Sequence, residues 1–236
     1  CSYLSIPGTL LGILLARIYR LQDDVRRTLQ LASVIGKSFL YRLLQAIAEA
    51  EQQLEGHLAQ LQRLDLVREK TRLPELEYMF KHSLTQEAAY NSLLVDRRRE
   101  FHHKVAEALE ELFAERREQF LGLLAHHFEM AGEYARAVEY LVQAGDQARL
   151  TDEHSEAVGF YQRAIPLLMQ LGDQERAARV WLRLGLIYGA NFQFKEAHQA
   201  NEMAFKLQRE ARVHPRSVSE LKPLHTLHKY EVSANM

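Results

Sequence analysis

Apolar residues recur at helical spacing along most of the chain, and they predict a mainly α-helical protein. A first helix is expected from Thr9 to Arg20, and a second begins at Asp23 or Asp24 and ends at Gly36. Two further short helices are marked by their apolar positions, which are Phe39, Leu43, Leu44 and Ile47 in the third and Leu54, Leu58 and Leu61 in the fourth.

Two segments, residues 66–70 and 76–80, are interpreted as strands; in the second, Leu76, Tyr78 and Phe80 alternate with Glu77 and Met79, which is the period of a half-buried strand. Together they predict a β-hairpin around residues 71–75, and three helices followed by a hairpin describe a winged helix. After Ser83 the helical pattern resumes and continues to about residue 210. The helices predicted there lie near 118–131, 133–150, 153–171, 174–190 and 194–210.

The downstream half has the residue spacing of a tetratricopeptide repeat (TPR), in which small residues let two antiparallel helices approach and aromatic residues fill the gaps. The residues at these spacings are Trp181, Leu184, Gly185, Tyr188, Ala197 and Ala204, and a weaker upstream copy contains Leu141, Ala144, Gly145, Ala148, Ala157, Tyr161 and Ala164. Asn201 departs from the pattern, because the repeat often carries an aromatic residue there.

The two copies are longer than a usual repeat. Ala157 and Ala197 lie about forty residues apart rather than the usual ~34, which predicts an extra turn or a longer connection near residues 171–173. The predicted fold is therefore a winged helix followed by a TPR-like α-helical solenoid.

Composition restricts the classes of function. The chain has 236 residues, of which 47% are hydrophobic and 26% charged, the balance of a globular protein in water. Its formal net charge of −1 provides no overall attraction to nucleic acid or to an anionic membrane. The apolar run at residues 10–16 is far shorter than the ~20 residues of a membrane span, so we expect no membrane partner. The single cysteine, Cys1, excludes an internal disulfide framework, and a cytoplasmic location fits best.

His82 lies between the second predicted strand and the next helix, where residues 83–86 have the form of a capping box. The first turn of a helix has unpaired backbone N–H groups and a partial positive charge, so it favours an anion, and an adjacent imidazole adds a hydrogen-bond donor. His82 can therefore act as a phosphate sensor. The local residues alone favour the alternative, a histidine bonded to a backbone carbonyl at the strand end. Lys81 is expected on the opposite strand face as a solvated charge.

Residues 78–90, which surround His82, resemble the end of the winged-helix domain in STAND-type signalling ATPases, a branch of the AAA+ proteins. In that family a histidine after the last strand touches the phosphate of the bound nucleotide, so the resemblance implies this role for His82. The nucleotide, ATP or ADP, would be held by an upstream ATPase domain of a full-length parent. The resemblance covers most of residues 6–210, through residues 6–9, 16–21, 31–36, 123–129 and 144–148, with Gly8 as a departure.

The resemblance is closest to large bacterial proteins that join an ATPase module to helical repeats, often beside a class III adenylate/guanylate cyclase domain. The expected organisation is a helix at residues 1–20 continuing from an ATPase or lid region, a winged-helix domain at 21–95, TPR-like repeats at 96–210, and a linker or further domain at 211–236. Because the chain begins with Cys rather than Met, we interpret it as a fragment whose upstream part is missing.

The spacing of polar residues does not predict an active site. Residues 34–38 end like a phosphate-binding P-loop, but that motif needs a glycine five residues before Gly36, where Leu31 stands. Gly36 is therefore interpreted as a helix stop. Cys1 is terminal and no nucleophile-elbow sequence occurs. We predict no enzyme activity and no cofactor bound by this chain alone.

Eleven histidines raise the question of a metal site. The adjacent pairs His102-His103 and His126-His127 point about 100° apart on a helix, so neither pair binds one ion as an i, i+4 pair does. Structural or solvated roles are favoured, with His126 or His127 packed partly under the surface. No metal site is predicted, and the same holds for the tail histidines His225 and His228.

Two functions of different class remain. The leading one is a non-catalytic regulatory and protein-interaction module. Its winged helix would dock on an upstream ATPase domain and report the nucleotide state of that domain. The repeats would bind an unknown protein partner or relay the change to an output domain such as a nucleotide cyclase. The alternative is a transcription regulator whose winged helix binds DNA and whose repeats sense an inducer or partner. The helix that would enter the major groove carries Glu51 and Glu55 against Arg63, so phosphate repulsion opposes docking and DNA is not the expected partner.

Overall fold

The computed structural model describes residues 8–48 and 53–213, and in these residues the chain is mainly α-helical, as the apolar spacing predicted. The helices that precede the β-hairpin are α1 (Gly8–Tyr19), α2 (Asp23–Ile35), α3 (Tyr41–Ile47) and α4 (Leu54–Arg63). Those that follow it are α5 (Ser83–Asn91), α6 (Val95–Leu112), α7 (Leu121–Ala131), α8 (Tyr134–Leu150), α9 (His154–Gln170), α10 (Gln174–Ala190) and α11 (Phe194–Val213), with a 3₁₀ helix at Ala114–Phe120.

The second helix ends at the predicted glycine. α2 buries Val25, Leu29 and Ala32, whose spacing places them on one face of the helix. The next residue after the helix, Gly36, has a φ of 148°, and its N–H donates to the Ala32 carbonyl at 3.3 Å. Gly36 therefore stops the helix, because L side chains rarely adopt this backbone conformation.

The sheet contains one strand more than predicted. Its strands are β1 (Ser38–Leu40), β2 (Val67–Thr71) and β3 (Glu77–Phe80), arranged antiparallel in the order β1-β3-β2. The predicted hairpin is therefore confirmed, with each strand beginning one residue later than expected. The placement of Phe39 in the third helix is wrong, because Phe39 lies in β1 opposite Tyr78.

Aromatic packing explains why Phe39 belongs to the sheet. Its ring centroid lies 5.9 Å from that of Phe80 and 6.0 Å from that of Tyr78, and the side chain is buried. α3 starts only after this strand, where the Tyr41 N–H donates to the Leu76 carbonyl at 2.9 Å. A three-residue strand is too short to show an alternating pattern, so the helical spacing of the following residues dominated the prediction.

Two compact units divide the chain, Cys1–Leu167 and Leu168–Met236. Within the described part of the first, α2 packs against α4, α5 and α6, while α7 packs against both α6 and α8. In the described part of the second, α10 packs along α11. Some predictions fall outside the described residues: those for Cys1, Glu51, His225, His228 and residues 214–236 of the predicted linker.

The turns between the later helices repeat with a period of forty residues. Before α8 and again before α10, the chain passes through a glycine of positive φ, Gly132 at 87° and Gly172 at 66°. The residue after each glycine then donates its N–H back into the preceding helix, Glu133 to the Phe128 carbonyl at 2.9 Å and Asp173 to the Leu168 carbonyl at 2.8 Å. The repetition extends to backbone geometry as well as to residue type.

The turns after α8 and α10 correspond in the same way. Asp152 and Phe192 have φ of 58° and 60°, and the Glu153 and Gln193 N–H groups each donate at 2.8 Å to a carbonyl five residues earlier. α8, α9 and α10 are 17 residues long, and three-residue turns join them. The predicted longer connection near residues 171–173 is wrong. The residues by which the forty-residue period exceeds that of a usual repeat lie in the helices, which have buried residues close to their ends.

Candidate functional site

His82 is exposed and precedes the first residue of α5. Its backbone is extended, with φ −130° and ψ 137°, and its carbonyl accepts the Thr85 N–H at 3.0 Å. This places the imidazole at the end of β3 and beside the first turn of α5, the position predicted from sequence. No described residue donates to or accepts from the imidazole, so the alternative of a carbonyl-bonded histidine does not describe His82 in this structure.

The predicted capping box is wrong. His82, rather than Ser83, is the residue that caps α5, and no side chain among the described residues hydrogen-bonds to the first turn. The glutamine of the motif, Gln86, is used elsewhere, because its amide donates to the Ser33 carbonyl of α2 at 2.7 Å. The first turn of α5 therefore has no side-chain cap and contains no acidic residue, although its Thr85 N–H bonds to the His82 carbonyl, and this leaves it suited to an anion.

Charged side chains gather next to His82. Lys81 is exposed, as predicted, and forms an ion pair with Asp65 rather than standing alone. The Lys81 ammonium, which donates a hydrogen bond to Asp65, lowers the pKa of that carboxyl, and the charges of His82 and Arg17 act in the same direction. Arg17 itself donates to the Leu64 carbonyl at 2.9 Å. We call these four residues, Arg17, Asp65, Lys81 and His82, the His82 patch.

The His82 patch could bind an anionic oxygen. It combines two permanent cations, one carboxylate, an exposed imidazole and the partial positive charge of a helix start. Such an arrangement can donate hydrogen bonds to a phosphate oxygen.

The P-loop-like residues have the wrong local structure for a phosphate loop. A P-loop leads from a strand into a helix, so that backbone N–H groups surround the phosphates. Here the order is reversed, because α2 ends at Ile35 and β1 begins at Ser38. Gly36 acts as the helix stop that was predicted.

The two histidine pairs contribute to a cluster that sequence reasoning missed, in which His102 and His127 are buried and His126 is exposed. His102 in α6 and His127 in α7 are 1% and 0% exposed, and their Nδ1 atoms lie 2.8 Å apart. The Tyr90 hydroxyl lies 3.0 Å from His102 Nε2, and the His126 ring stands 5.3 Å from that of His127. We call Tyr90, His102, His126 and His127 the histidine cluster.

The geometry of the cluster limits how many protons it holds. One of the two facing Nδ1 atoms must carry a hydrogen and the other must accept it, so the imidazoles cannot both be fully protonated. Burial, followed by the nearby His126 and Arg98, lowers the pKa of His102 to about 4. Burial also lowers the pKa of His127 well below its ordinary value. His102 and His127 are therefore neutral near pH 7 and form part of the core.

The side chains of the histidine cluster can be compared with those of a metal site. In the described residues no group of three or more His, Cys, Asp or Glu side chains is arranged to hold an ion. His127 Nε2 is buried and has no hydrogen-bond partner among the described residues. The signal that could have found the cluster is helical spacing: His102 shares a face with Val105, Ala106 and Leu109, which are all buried.

The repeat residues of the upstream copy meet at one close contact. A Cβ atom added to Gly145 would lie 2.5 Å from Cε1 of Tyr161, so the glycine lets α8 and α9 approach. The Tyr161 ring is fully buried, and its hydroxyl donates to Asp146 at 2.6 Å. Ala157 and Ala164 lie on the same helix and are also buried.

The downstream copy has the same close contact with a different partner. A Cβ atom added to Gly185 would lie 2.5 Å from Oδ1 of Asn201, which occupies the place that Tyr161 holds forty residues earlier. Leu184 and Ala204 are buried, whereas the three remaining residues of this copy, Trp181, Tyr188 and Ala197, are half-buried. Asn201 therefore stands at the repeat position where the upstream copy has Tyr161, and the downstream copy has no aromatic ring at that position.

The surface that would contact DNA carries charges of both signs, and its hairpin cations are paired with carboxylates. Glu55 and Arg63 are both exposed on α4. In the β2–β3 hairpin, Arg72 pairs with Glu69 at 2.5 Å and Lys70 pairs with Glu77 at 2.9 Å. These carboxylates compete with phosphate for the two cations.

Comparison of the chain with protein-family models and with curated proteins found no match. Among the described residues, the helices are all too short or too polar to cross a membrane.

Proposed function

We propose that this chain is a non-catalytic regulatory and protein-interaction module of a STAND-type signalling ATPase. In this proposal residues 21–95 form a winged helix that docks on an upstream ATPase domain, and His82 contacts the phosphate of the ATP or ADP bound there. Residues 96–210 form TPR-like repeats that bind a protein partner or relay the nucleotide state to an output domain such as a nucleotide cyclase.

The observation that carries the proposal is the setting of His82. An exposed imidazole without a partner among the described residues stands beside a helix start that has no side-chain cap, with Lys81 and Arg17 in the same patch. A histidine needed only for packing would be buried or hydrogen-bonded, as His102 and His127 are. The patch lacks a phosphate-binding loop of its own, so the nucleotide would be held mainly by another domain.

Two features support a winged helix and a repeat arm. Helices α2, α3 and α4 with a three-stranded sheet in the order β1-β3-β2 agree with a winged-helix arrangement. The forty-residue repetition of turns, with Gly145 and Gly185 at equivalent contacts, agrees with a helix pair that recurs along the chain. Helical repeats commonly use their extended surfaces for protein recognition.

The direct test uses the full-length parent protein. His82→Ala should raise the rate of ADP release by roughly tenfold, since a hydrogen bond to a charged group contributes on the order of 1.5–3 kcal/mol. Release is measured by displacement of a fluorescent ADP. The matched control is His198→Ala, because His198 is another exposed helix histidine, in α11 and far along the chain. Equal release rates for wild type and His82→Ala would contradict the nucleotide-sensor proposal.

The competing function is a DNA-binding transcription regulator. Duplex DNA binding of this chain at low salt, weakening steeply as salt rises, would favour that function over the regulatory one. We expect no specific binding, because the hairpin cations Lys70 and Arg72 are already paired with carboxylates. Binding of the chain to duplex DNA is measured by fluorescence anisotropy with a labelled duplex of random sequence.

A further inference from the structure

A cleft of about 260 Å³ lies where α5, α6, α7 and α8 meet, away from the His82 patch. Its volume corresponds to on the order of nine water molecules at liquid density, which suits a small organic ligand. We call it the arginine cleft, and its walls are formed by Tyr90, Val95, Arg98, Arg99, Glu129, Met130, Gly132 and Tyr134.

Arg98 is fixed in the wall of the arginine cleft. Its Nε donates to the Leu93 carbonyl at 3.0 Å, and its guanidinium carbon lies 5.0 Å from the centre of the Tyr90 ring. Tyr90 is in turn held by its hydroxyl contact with buried His102. The terminal nitrogens of Arg98 have no partner among the described residues, so the fork is oriented in advance for a bidentate contact.

The charge of the cleft is positive. Arg99 adds a second guanidinium, and no described carboxylate forms an ion pair with it. Glu129 is the acid among the lining residues, but it already accepts a hydrogen bond from Arg163 at 2.7 Å. Two arginines and one carboxylate therefore line the cleft, and because that carboxylate is paired with a third arginine, the site favours an anion over a neutral molecule.

The rest of the wall is apolar or aromatic. Val95 and Met130 are exposed, and Tyr134 is half-buried at the start of α8. Apolar and aromatic walls with a few convergent polar groups are typical of small-molecule sites. A ligand with an anionic head and a flat or apolar body would satisfy both parts of the cleft.

We infer that the arginine cleft binds a small aromatic or apolar oxyanion, a phosphate monoester or a carboxylate. Arg98 and Arg99 contact the anionic oxygens, and Val95, Met130 and Tyr134 contact the body of the ligand. This inference does not depend on the proposed function, because the cleft lies outside the His82 patch and contains no nucleotide-sensor residue.

The test titrates the whole chain with phenyl phosphate at low salt and follows binding by isothermal calorimetry. Benzoate tests a carboxylate in place of the phosphate, and phenol tests a neutral ligand. Inorganic phosphate tests the anion without an aromatic ring. Saturable binding of phenyl phosphate is expected, weaker binding of inorganic phosphate, and none of phenol. Arg99→Gln should weaken phenyl phosphate by about tenfold or more, the usual effect of losing a hydrogen bond to a charged group. Arg99 is exposed, so this variant is expected to fold.

The matched control is Arg97→Gln. Arg97 lies on the same helical turn and is exposed, as Arg99 is. It differs because it does not line the cleft and pairs with Glu100 at 2.6 Å. It should change the affinity by less than about twofold, as expected for a surface charge away from the ligand. Arg98→Lys provides a second variant, because lysine keeps the charge but loses the planar fork, so affinity should fall while the fold is retained.

Several outcomes would overturn the inference. Absence of saturable binding, or equal weakening by Arg97→Gln and Arg99→Gln, would show attraction to general surface charge instead of a site. Binding of phenol as tightly as phenyl phosphate would show that the arginines do not recognise an anion. A further readout is the NMR titration of His102: its pKa is lowered by burial, by His126 and by the Arg98 charge, and a bound anion that offsets the Arg98 charge should raise it.

Discussion

Histidines in two regions of this chain have opposite environments. In the histidine cluster, His102 and His127 are buried and meet at 2.8 Å, and burial lowers the pKa of both. At the start of α5, the His82 side chain is exposed and lacks a hydrogen bond to any described residue. The buried histidines serve the packing of α6 on α7, whereas His82 contributes to the fold through its backbone and leaves its imidazole exposed.

The largest expected difference is in stability. His127→Ala removes a fully buried ring and leaves His102 Nδ1 without its partner. The cavity and the unpaired nitrogen together should lower the free energy of unfolding by about 3 kcal/mol. Urea denaturation followed by circular dichroism measures it. A change below about 1 kcal/mol would mean that the cluster is not part of the core.

Acid should weaken the fold through the same cluster. The pKa of His102 is about 4 in the folded protein, below the ~6.5 of an unfolded histidine, so the unfolded state binds a proton first as pH falls. The stability is complete above pH ~6.5 and is lost as pH falls towards 4, by about 3 kcal/mol for this one group. His102→Gln should therefore show a shallower loss between pH 6.5 and 4. Parallel pH profiles for the two proteins would contradict the assignment.

The smallest expected effect is that of His82→Ala on stability. The side chain is exposed and unbonded to described residues, so the free energy of unfolding should change by less than about 0.5 kcal/mol. The same urea titration measures it beside His127→Ala. A loss above about 1 kcal/mol would place His82 among the structural histidines and remove the contrast.

Helical spacing predicted most of the fold, because each long helix carries several turns of apolar residues. It failed for β1, where three residues are too few to show a strand period and Phe39 also fits the helical spacing of α3. It also misplaced the extra length of the repeat, because spacing fixes equivalent positions such as Ala157 and Ala197 but not whether added residues lie in a helix or a turn.

The candidate sites were predicted unevenly. The position of His82 between a strand and a helix followed from local pattern, but its cap did not, because Gln86 bonds to Ser33, a residue distant in sequence. The contact between His102 and His127 joins residues 25 apart, and no local pattern shows which neighbour a buried imidazole will meet. The arginine cleft likewise depends on four helices meeting, which tertiary packing alone determines.

The most direct measurement of the central claim is binding between this chain and a separately produced ATPase domain of the proposed parent protein, in the presence of ADP or of a non-hydrolysable ATP analogue. We expect the affinity to differ by about tenfold between the two nucleotides, the size of a typical coupling between sites. His82→Ala should remove that difference while leaving the fold intact. Equal affinities with both nucleotides, or a difference that survives His82→Ala, would contradict the account.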